Sequence, residues 1–452
     1  MDCDAPAVAP VKAVPKLRVA FYDSYSALIA RLAQAFPEKG DVLQLSGIPF
    51  RVFCFRHPEH IKQIYTDKTF GSNKLPSLLP RVRWIMGEGS FIHPGGPGWK
   101  RRRYLLQPAL THQSSLKFAS AVPGVAERVL ARWQDCADTG RPVDLHRELG
   151  YLIFAATFQS LFSEDVWGEI EEVYEQTHFL LQAFGERVPL WLPTPRNFRF
   201  RRVARRMQQR VRAMVERRIH AAERPDDLLT LMLTTPDKET GQTWAPQEVQ
   251  DEVFSLYFGA SIVRVGLSWV FFLLSLHPAV RRTLEQEVDG VLQGRPPTVH
   301  DLPRLRYTDM VFQETVRLYP PVWGYPRYTA EPVEIGGYHF PRKSLLLPVG
   351  YFAHRHPDFW DNPEGFDPER FAPERVSRIH PFAHYPFGGG PRMCLGRNLA
   401  PPICQLVIAS IVQRYELRLA PRFPGDPLPH FGFELGPRDR LMMTVHRRRL
   451  AT

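Results

Sequence analysis

The sequence predicts a mainly α fold, one large helical region carrying a small β-rich subregion. Apolar residues recur at helical spacing in long segments, among them 120 to 162, 169 to 184 and 308 to 318. The longest apolar stretch, Glu248 to Leu276, has the length of a long helix rather than of a strand. Segments of strand character are short. The clearest is the hairpin Val333-Glu334-Ile335, Gly336-Gly337, Tyr338-His339-Phe340. No internal repeat or linker divides the chain, so residues 1–38 read as a partly irregular N-terminal extension and 39–452 as a single domain.

Asp41 to Phe55 reads as two short apolar strands flanking a Ser46-Gly47 turn. Pro58 then opens a helix through about Tyr65, since the missing proline N–H costs nothing in a first turn. Residues 70 to 98 are loop-rich; their Trp84, Ile85, Met86, Phe91 and Ile92 cover the core or line a ligand site. If Trp99-Lys100-Arg101-Arg102-Arg103 begins a helix, Trp99 and Arg103 share one face, as donors for carboxylates or as a solvated basic start.

Phe154, Phe158 and Phe162 recur every four residues, the pattern of a core stripe. A helix from Glu169 to Phe184, a Pro-broken link from Val188 to Pro195 and an arginine-rich helix from about Phe200 to Ala222 follow. With Leu190, Trp191 and Leu192 in the link, this pair forms a mobile lid or packs on the surface. Glu248 to Leu276 approaches the length of a membrane span, but Arg264 near its middle, its serines and its polar start predict a core helix. His277-Pro278 ends it. Thr308 to Leu318 places Glu314 and Arg317 on one helical face, and Asp361 to Pro373 is an irregular approach to a glycine-rich loop. Leu441 to Val445 closes the chain as a strand.

Bulk properties exclude several functions. A hydrophobic content of 44% over 452 residues supplies a sizeable core. Five scattered cysteines form neither a disulfide framework nor a zinc spacing. The formal charge of +11 comes without a zinc finger, an RNP-like aromatic strand or a long basic tail, so no nucleic-acid partner is expected. The first residues lack the apolar core of a signal peptide and no membrane span is expected, which makes the cytoplasm the expected location.

The loop Phe387-Gly388-Gly389-Gly390-Pro391-Arg392-Met393-Cys394-Leu395-Gly396 carries the chemistry. It runs into Arg397-Asn398-Leu399-Ala400, where a helix is expected to start. A cysteine beside a helix N-terminus, with Arg392 two residues before it, is set to ionise. Such a thiolate suits an axial ligand to haem iron. A redox pair would need a nearer partner than Cys404, a phosphate loop would end in Gly-Lys-Ser/Thr, and a nucleophile would need a histidine placed by the fold.

Phe387, Gly388, Gly390, Arg392, Cys394 and Gly396 match the haem-binding loop of the cytochrome P450 family, which the chain resembles from about residue 40 to its end. Glu314-x-x-Arg317 and Pro368-Glu369-Arg370-Phe371 resemble that family's buried helix pair and the segment completing its network. Trp99-x-x-x-Arg103 and Arg327 resemble its haem-propionate contacts. The resemblance implies the cytochrome P450 fold, haem b as cofactor and Cys394 as the metal ligand. Trp99, Arg103, Arg327, Phe387 and Arg392 would be further cofactor contacts, and Glu314, Arg317 and Arg370 would maintain the fold.

Two departures stand out. Pro401-Pro402 and Ile403 follow Ala400 where the family often carries a glutamate, which is expected to strain or restart the helix. Aligning Leu267-Ser268-Trp269 with the family's Leu-Ser-Trp puts Gly259, Ala260, Ser261 and Ile262 on the oxygen-binding groove, with Ser261 for the usual acid and Ile262 for the usual threonine. Isoleucine has no hydroxyl to donate or to hold a water for proton delivery. Ser261 offers a weak relay at best, and Arg264 should face away from Ile262.

The resemblance implies a monooxygenase inserting one oxygen atom from dioxygen into a small apolar organic substrate, terpenoid, fatty acyl or polyketide-like. The altered groove leaves alternatives open: a peroxygenase, an isomerase or dehydratase, or a haem protein without turnover. No reductase domain follows, so a separate ferredoxin or flavodoxin is the expected electron donor, at a basic surface of Lys100, Arg101, Arg102 and Arg397. A monomer, and a step in secondary metabolism, are expected.

Overall fold

The computed structural model describes residues 12–20, 23–68, 80–87, 89, 96–184, 186, 188–237, 241–421, 429–438 and 440–448. Their contacts sort into two compact units, the first drawn from 1–75, 324–363 and 379–393, the second from 76–323, 364–378 and 394–452.

The first unit is built on a five-stranded sheet. Strand Val42–Ser46 pairs antiparallel with Arg51–Phe55 and parallel with Lys16–Arg18; Ser344–Pro348 runs parallel to Arg51–Phe55 and carries Arg327–Tyr328 on its other edge. Phe53, Phe55, Phe340 and Leu346 pack with Ile61, Ile64 and Tyr65 of helix Pro58–Thr66. The expected hairpin is present, Val333–Ile335 against Tyr338–Phe340, with Gly336 and Gly337 at φ 59° and 80°. Both turn residues need positive φ, which glycine adopts without a Cβ clash. Helix Tyr25–Lys39, capped by Ser24, occupies the later part of the extension expected to be partly irregular; its Ile29, Leu32, Ala35 and Phe36 are buried on one face.

The second unit holds most helices. The segment 120 to 162 is helical, as its pattern predicts, and divides in two: Gly140 at φ 71° ends Val122–Thr139, and Val143–Asp144 pairs with Met442–Arg447 before Leu145–Phe162 begins. A left-handed glycine is a common helix stop. Phe154, Phe158 and Phe162 are buried, as their spacing predicts. Helix Pro80–Met86 replaces part of the expected loop and buries Ile85 and Met86 in the core; Phe91 and Ile92 lie outside the described residues. Pro401-Pro402 restarts the helix without straining it, since an α-helix begins at Ala400 after the turn Leu395–Asn398. Both lie in the first turn of Ala400–Arg414, where the absent N–H groups have no intrahelical acceptor to lose.

Glu314 and Arg317 are fully buried on helix Arg306–Leu318. Arg317 Nε and Nη2 donate to the Glu314 carboxylate at 2.6 and 2.7 Å, and Nη2 also donates to the Gly365 carbonyl at 2.9 Å. Asp367 N donates to Glu314 at 2.9 Å, and Arg370 stands 3.4 Å from it. The pair therefore pins the irregular 364–378 segment to the helix. Residues Pro246–Leu276 are long and apolar enough to cross a membrane, but two thirds of their most apolar window is buried inside the protein and Arg264 is fully buried. They form a core helix, and it is interrupted at Ile262 between Pro246–Ser261 and Val263–Leu276.

Candidate active site

The cysteine loop is shaped by close approach. Gly388 and Gly390 take φ 72° and 66°. A Cβ on Gly390 would lie 1.9 Å from the Tyr65 carbonyl oxygen, and one on Gly389 would meet the Phe382 and Tyr65 rings at 2.7 and 2.9 Å. Arg327 is buried, lies 4.6 Å over the Tyr65 ring, and donates to the carbonyls of Pro326 at 3.0 Å and Gly389 at 3.2 Å. Tyr325 donates its hydroxyl to Pro386 O at 2.5 Å, and Tyr65 donates to Tyr325 O at 3.1 Å. Tyr65 and Tyr325 thus hold the loop and Arg327 in one arrangement. Neither is marked by spacing, since Tyr65 reads as one more apolar-face residue of its helix.

Phe387 and Arg392 are half-buried on the loop, Arg392 ending the turn Gly390–Arg392. Cys394 belongs to the second unit. It precedes the turn Leu395–Asn398 and is the exposed one of the four described cysteines, none of which forms a disulfide. Its sulfur lies over Gly396, where a Cβ would come within 3.7 Å, and Asn398 fixes the turn by donating to Leu110 O at 3.0 Å. By contrast, burial pushes the Cys54 thiol up to about 12, far from use as a thiolate. Trp99 is buried and Arg103 half-buried on helix Gly96–Leu106. Burial lowers the Arg103 pKa, with the Cys394 sulfur opposing and Arg397 adding to the effect.

The expected basic docking surface is smaller than its sequence. Arg101 pairs with Asp237 and Glu248, and Arg102 is buried against Glu248 and Glu252. Lys100 and Arg397 remain exposed.

On the helix expected to carry the oxygen groove, Gly259 is exposed, and a Cβ built there meets nothing within 4 Å. Ala260 and Ile262 are half-buried, between the buried Phe258 and Ser261. Ser261 Oγ donates to Phe258 O at 2.6 Å, so its hydroxyl is committed to the backbone. Arg264 is fully buried. Its Nη1 donates to Ser261 O at 2.5 Å, and its Nη2 pairs with Glu434 at 2.5 Å. With that carbonyl taken, Val265 N donates to Ile262 O at 3.1 Å and Ile262 N to Gly259 O at 3.3 Å, a locally tightened turn.

Behind Arg264, Ser268 donates to Arg264 O at 2.7 Å and stands 2.9 Å from His146 Nδ1. Burial, then the Arg264 charge, pushes His146 well below its ordinary pKa and His178 down to about 4. Burial raises Glu434, with Arg264 opposing. Glu434 lies between strands Pro429–Phe431 and Leu435–Pro437, a hairpin that spacing did not tie to this helix. Its neighbour Phe433 packs 5.4 Å from Phe184, which packs 5.2 Å from Phe258, so three aromatic rings gather next to Gly259 in sequence.

These residues suit the haem that the resemblance implies. They offer an exposed thiol after a glycine-shaped turn, and two arginines for which burial makes a carboxylate partner favourable. The groove helix adds a glycine with open space before it.

A family model described as Cytochrome P450 matches residues 20–440. Cyclooctatin synthase of Streptomyces melanosporofaciens is 31% identical over 413 residues, covering 89% of this chain and 88% of its own. Pentalenene oxygenase of Streptomyces avermitilis is 29% identical over 390 residues, covering 84% and 85%. The crystal structure of a cytochrome P450DA heme domain superposes with a TM-score of 0.86 at 22% identity over 97% of this chain and 98% of that one, a likeness of fold. The chain belongs to the cytochrome P450 family, and its cofactor is haem b.

Proposed function

We propose that this P450 monooxygenase inserts one oxygen atom from dioxygen into a cyclic terpenoid-like hydrocarbon or lightly oxygenated terpenoid. The observation that carries the substrate class is the aromatic cluster of Phe184, Phe258 and Phe433 beside Gly259, a wall that rewards apolar area and offers no charge. Relatives named cyclooctatin synthase, cyclooctat-9-en-7-ol 5-monooxygenase and pentalenene oxygenase support it. Cys394 would hold the iron, and Trp99, Arg103, Arg327 and Arg392 would hold the propionates, with Phe387 beside the ring.

Bound haem b supplies the activation of dioxygen. Gly259 and Ala260 leave room on the groove, and Ile262 shields it from water. With the Ser261 hydroxyl spent on Phe258 O, the proton comes from an ordered water or a substrate hydroxyl rather than from this helix. The electron donor is a separate ferredoxin or flavodoxin docking near Lys100 and Arg397, and the protein acts as a cytoplasmic monomer.

The test supplies purified holoenzyme with cyclic terpenes and either a ferredoxin system or hydrogen peroxide. The expected result is a product one oxygen atom heavier with the ferredoxin system. Product formed only with peroxide would overturn dioxygen use, and isomerised or dehydrated product would overturn oxygen insertion.

A further inference from the structure

Among the described residues, Arg264 Nε, Glu434 Oε2 and His178 Nδ1 are buried polar atoms with no hydrogen-bond partner, and all three lie in the second unit. They centre on Arg264, whose charge acts on both of the other groups. Four elements surround them. Helix Leu145–Phe162 brings His146 and Gly150, helix Ile170–Phe184 brings Tyr174 and His178, helix Val263–Leu276 brings Arg264 and Ser268, and Glu434 comes from the hairpin of Pro429–Phe431 and Leu435–Pro437. Tyr174 and the Arg264 stem close over Gly150, where a Cβ would lie 2.4 Å from the ring and 3.5 Å from Arg264 Cδ.

The three atoms are complementary. Gln182 Nε2 stands 2.9 Å from His178 Nε2, so that ring nitrogen accepts and Nδ1 carries the proton. Arg264 Nε is a second donor, since Nη1 serves Ser261 O and Nη2 serves Glu434. Glu434 Oε2 is an acceptor. Two donors and one acceptor, all shut off from bulk water, are the partners that an ordered water takes. An ion pair serving the fold alone would close as a two-pronged fork, as Arg317 does on Glu314 through Nε and Nη2.

The residues expected on the oxygen groove hold no titrating group. Ser261 gives its hydroxyl to Phe258 O, and Ile262 has none. Glu434 is tied through Arg264 to the carbonyl of Ser261, the residue before Ile262, and 16% of its side chain remains accessible. We propose that Glu434, acting through an ordered water that it holds together with Arg264 and His178, passes protons to the groove. The carboxylate takes a proton from solvent, gives it up through that water toward Ile262, and is ionised again, so one proton moves and no electron does. The proposal rests on the reading that dioxygen is the oxidant.

The first test is a crystal structure of the holoenzyme. It should show a water within hydrogen-bond distance of Glu434 Oε2 and of Arg264 Nε or His178 Nδ1, and a dry pocket would overturn the proposal. The second supplies the ferredoxin system and measures product per reductant consumed, peroxide released and the solvent deuterium isotope effect on turnover. Glu434→Gln should lower the product yield about tenfold, release the balance as peroxide and enlarge the isotope effect. Glu434→Asp should recover part of the yield, and His178→Phe, on a different helix, should shift it in the same direction as Glu434→Gln. An unchanged ferrous carbon monoxide spectrum in each variant separates lost proton delivery from lost folding. Yield and isotope effect unchanged in Glu434→Gln, while the wild type makes product with ferredoxin, would overturn the proposal and leave the monooxygenase reading standing. Product from the wild type with peroxide alone would overturn both.

Discussion

The Arg264 guanidinium lies 2.5 Å from the Ser261 carbonyl, in the turn just before Ile262, and its other nitrogen reaches Glu434. A side chain takes the carbonyl that a backbone N–H would otherwise hold, at the point where the core helix is interrupted, and an ion pair with Glu434 holds that side chain.

Removing that cation should leave the Glu434 carboxylate poorly compensated. Arg264→Gln is expected to destabilise the protein by about 3 kcal/mol, and Arg264→Met with Glu434→Met should recover part of the loss. Denaturant unfolding followed by circular dichroism measures both. Equal stability of the single and double variants would show that the pair holds nothing.

Ile262→Thr restores a hydroxyl beside Gly259. If proton delivery limits turnover, product per reductant consumed should rise, with less peroxide released. Unchanged coupling would mean that a water or the substrate already supplies the proton.

Glu314→Gln breaks the buried network at its shared acceptor, which receives Arg317 and the Asp367 N–H. The expected cost is about 3–5 kcal/mol, read as lower haem-loaded yield and an earlier unfolding midpoint. Replacing exposed Glu171 should do neither.

His178 is held near pKa 4 by burial and the Arg264 charge, below its ordinary 6.5. A depressed folded pKa means that the unfolded chain takes up the proton first, so stability present above pH 6.5 declines as pH falls toward 4. His178→Phe should flatten part of that decline in a series of melting temperatures. His146, pushed down in the same direction, should account for a further part.

The helical class, the hairpin at Gly336-Gly337, the core stripe of Phe154, Phe158 and Phe162, and the residue set of the cysteine loop are legible from residue order alone. These are local: they depend on periodicity, on glycine's access to positive φ, and on a motif whose members are close in the chain. It also marked Ser261 and Ile262 as departures, because residue type alone fixes whether a hydroxyl is present.

What those residues touch comes from packing. Only packing shows that Gly390 is glycine because the Tyr65 carbonyl occupies the place of a Cβ, and that Arg102 is buried and not part of a docking surface. Arg264 meets a glutamate 170 residues later, and Arg317 a carbonyl 48 residues on, separations at which no sequence period operates. Helix Tyr25–Lys39 went unread because it lies directly after a Pro/Ala-rich start and its four buried residues gain their meaning only from the surface they cover. Burial converts a residue type into a cost or a role, and burial is a property of the whole fold.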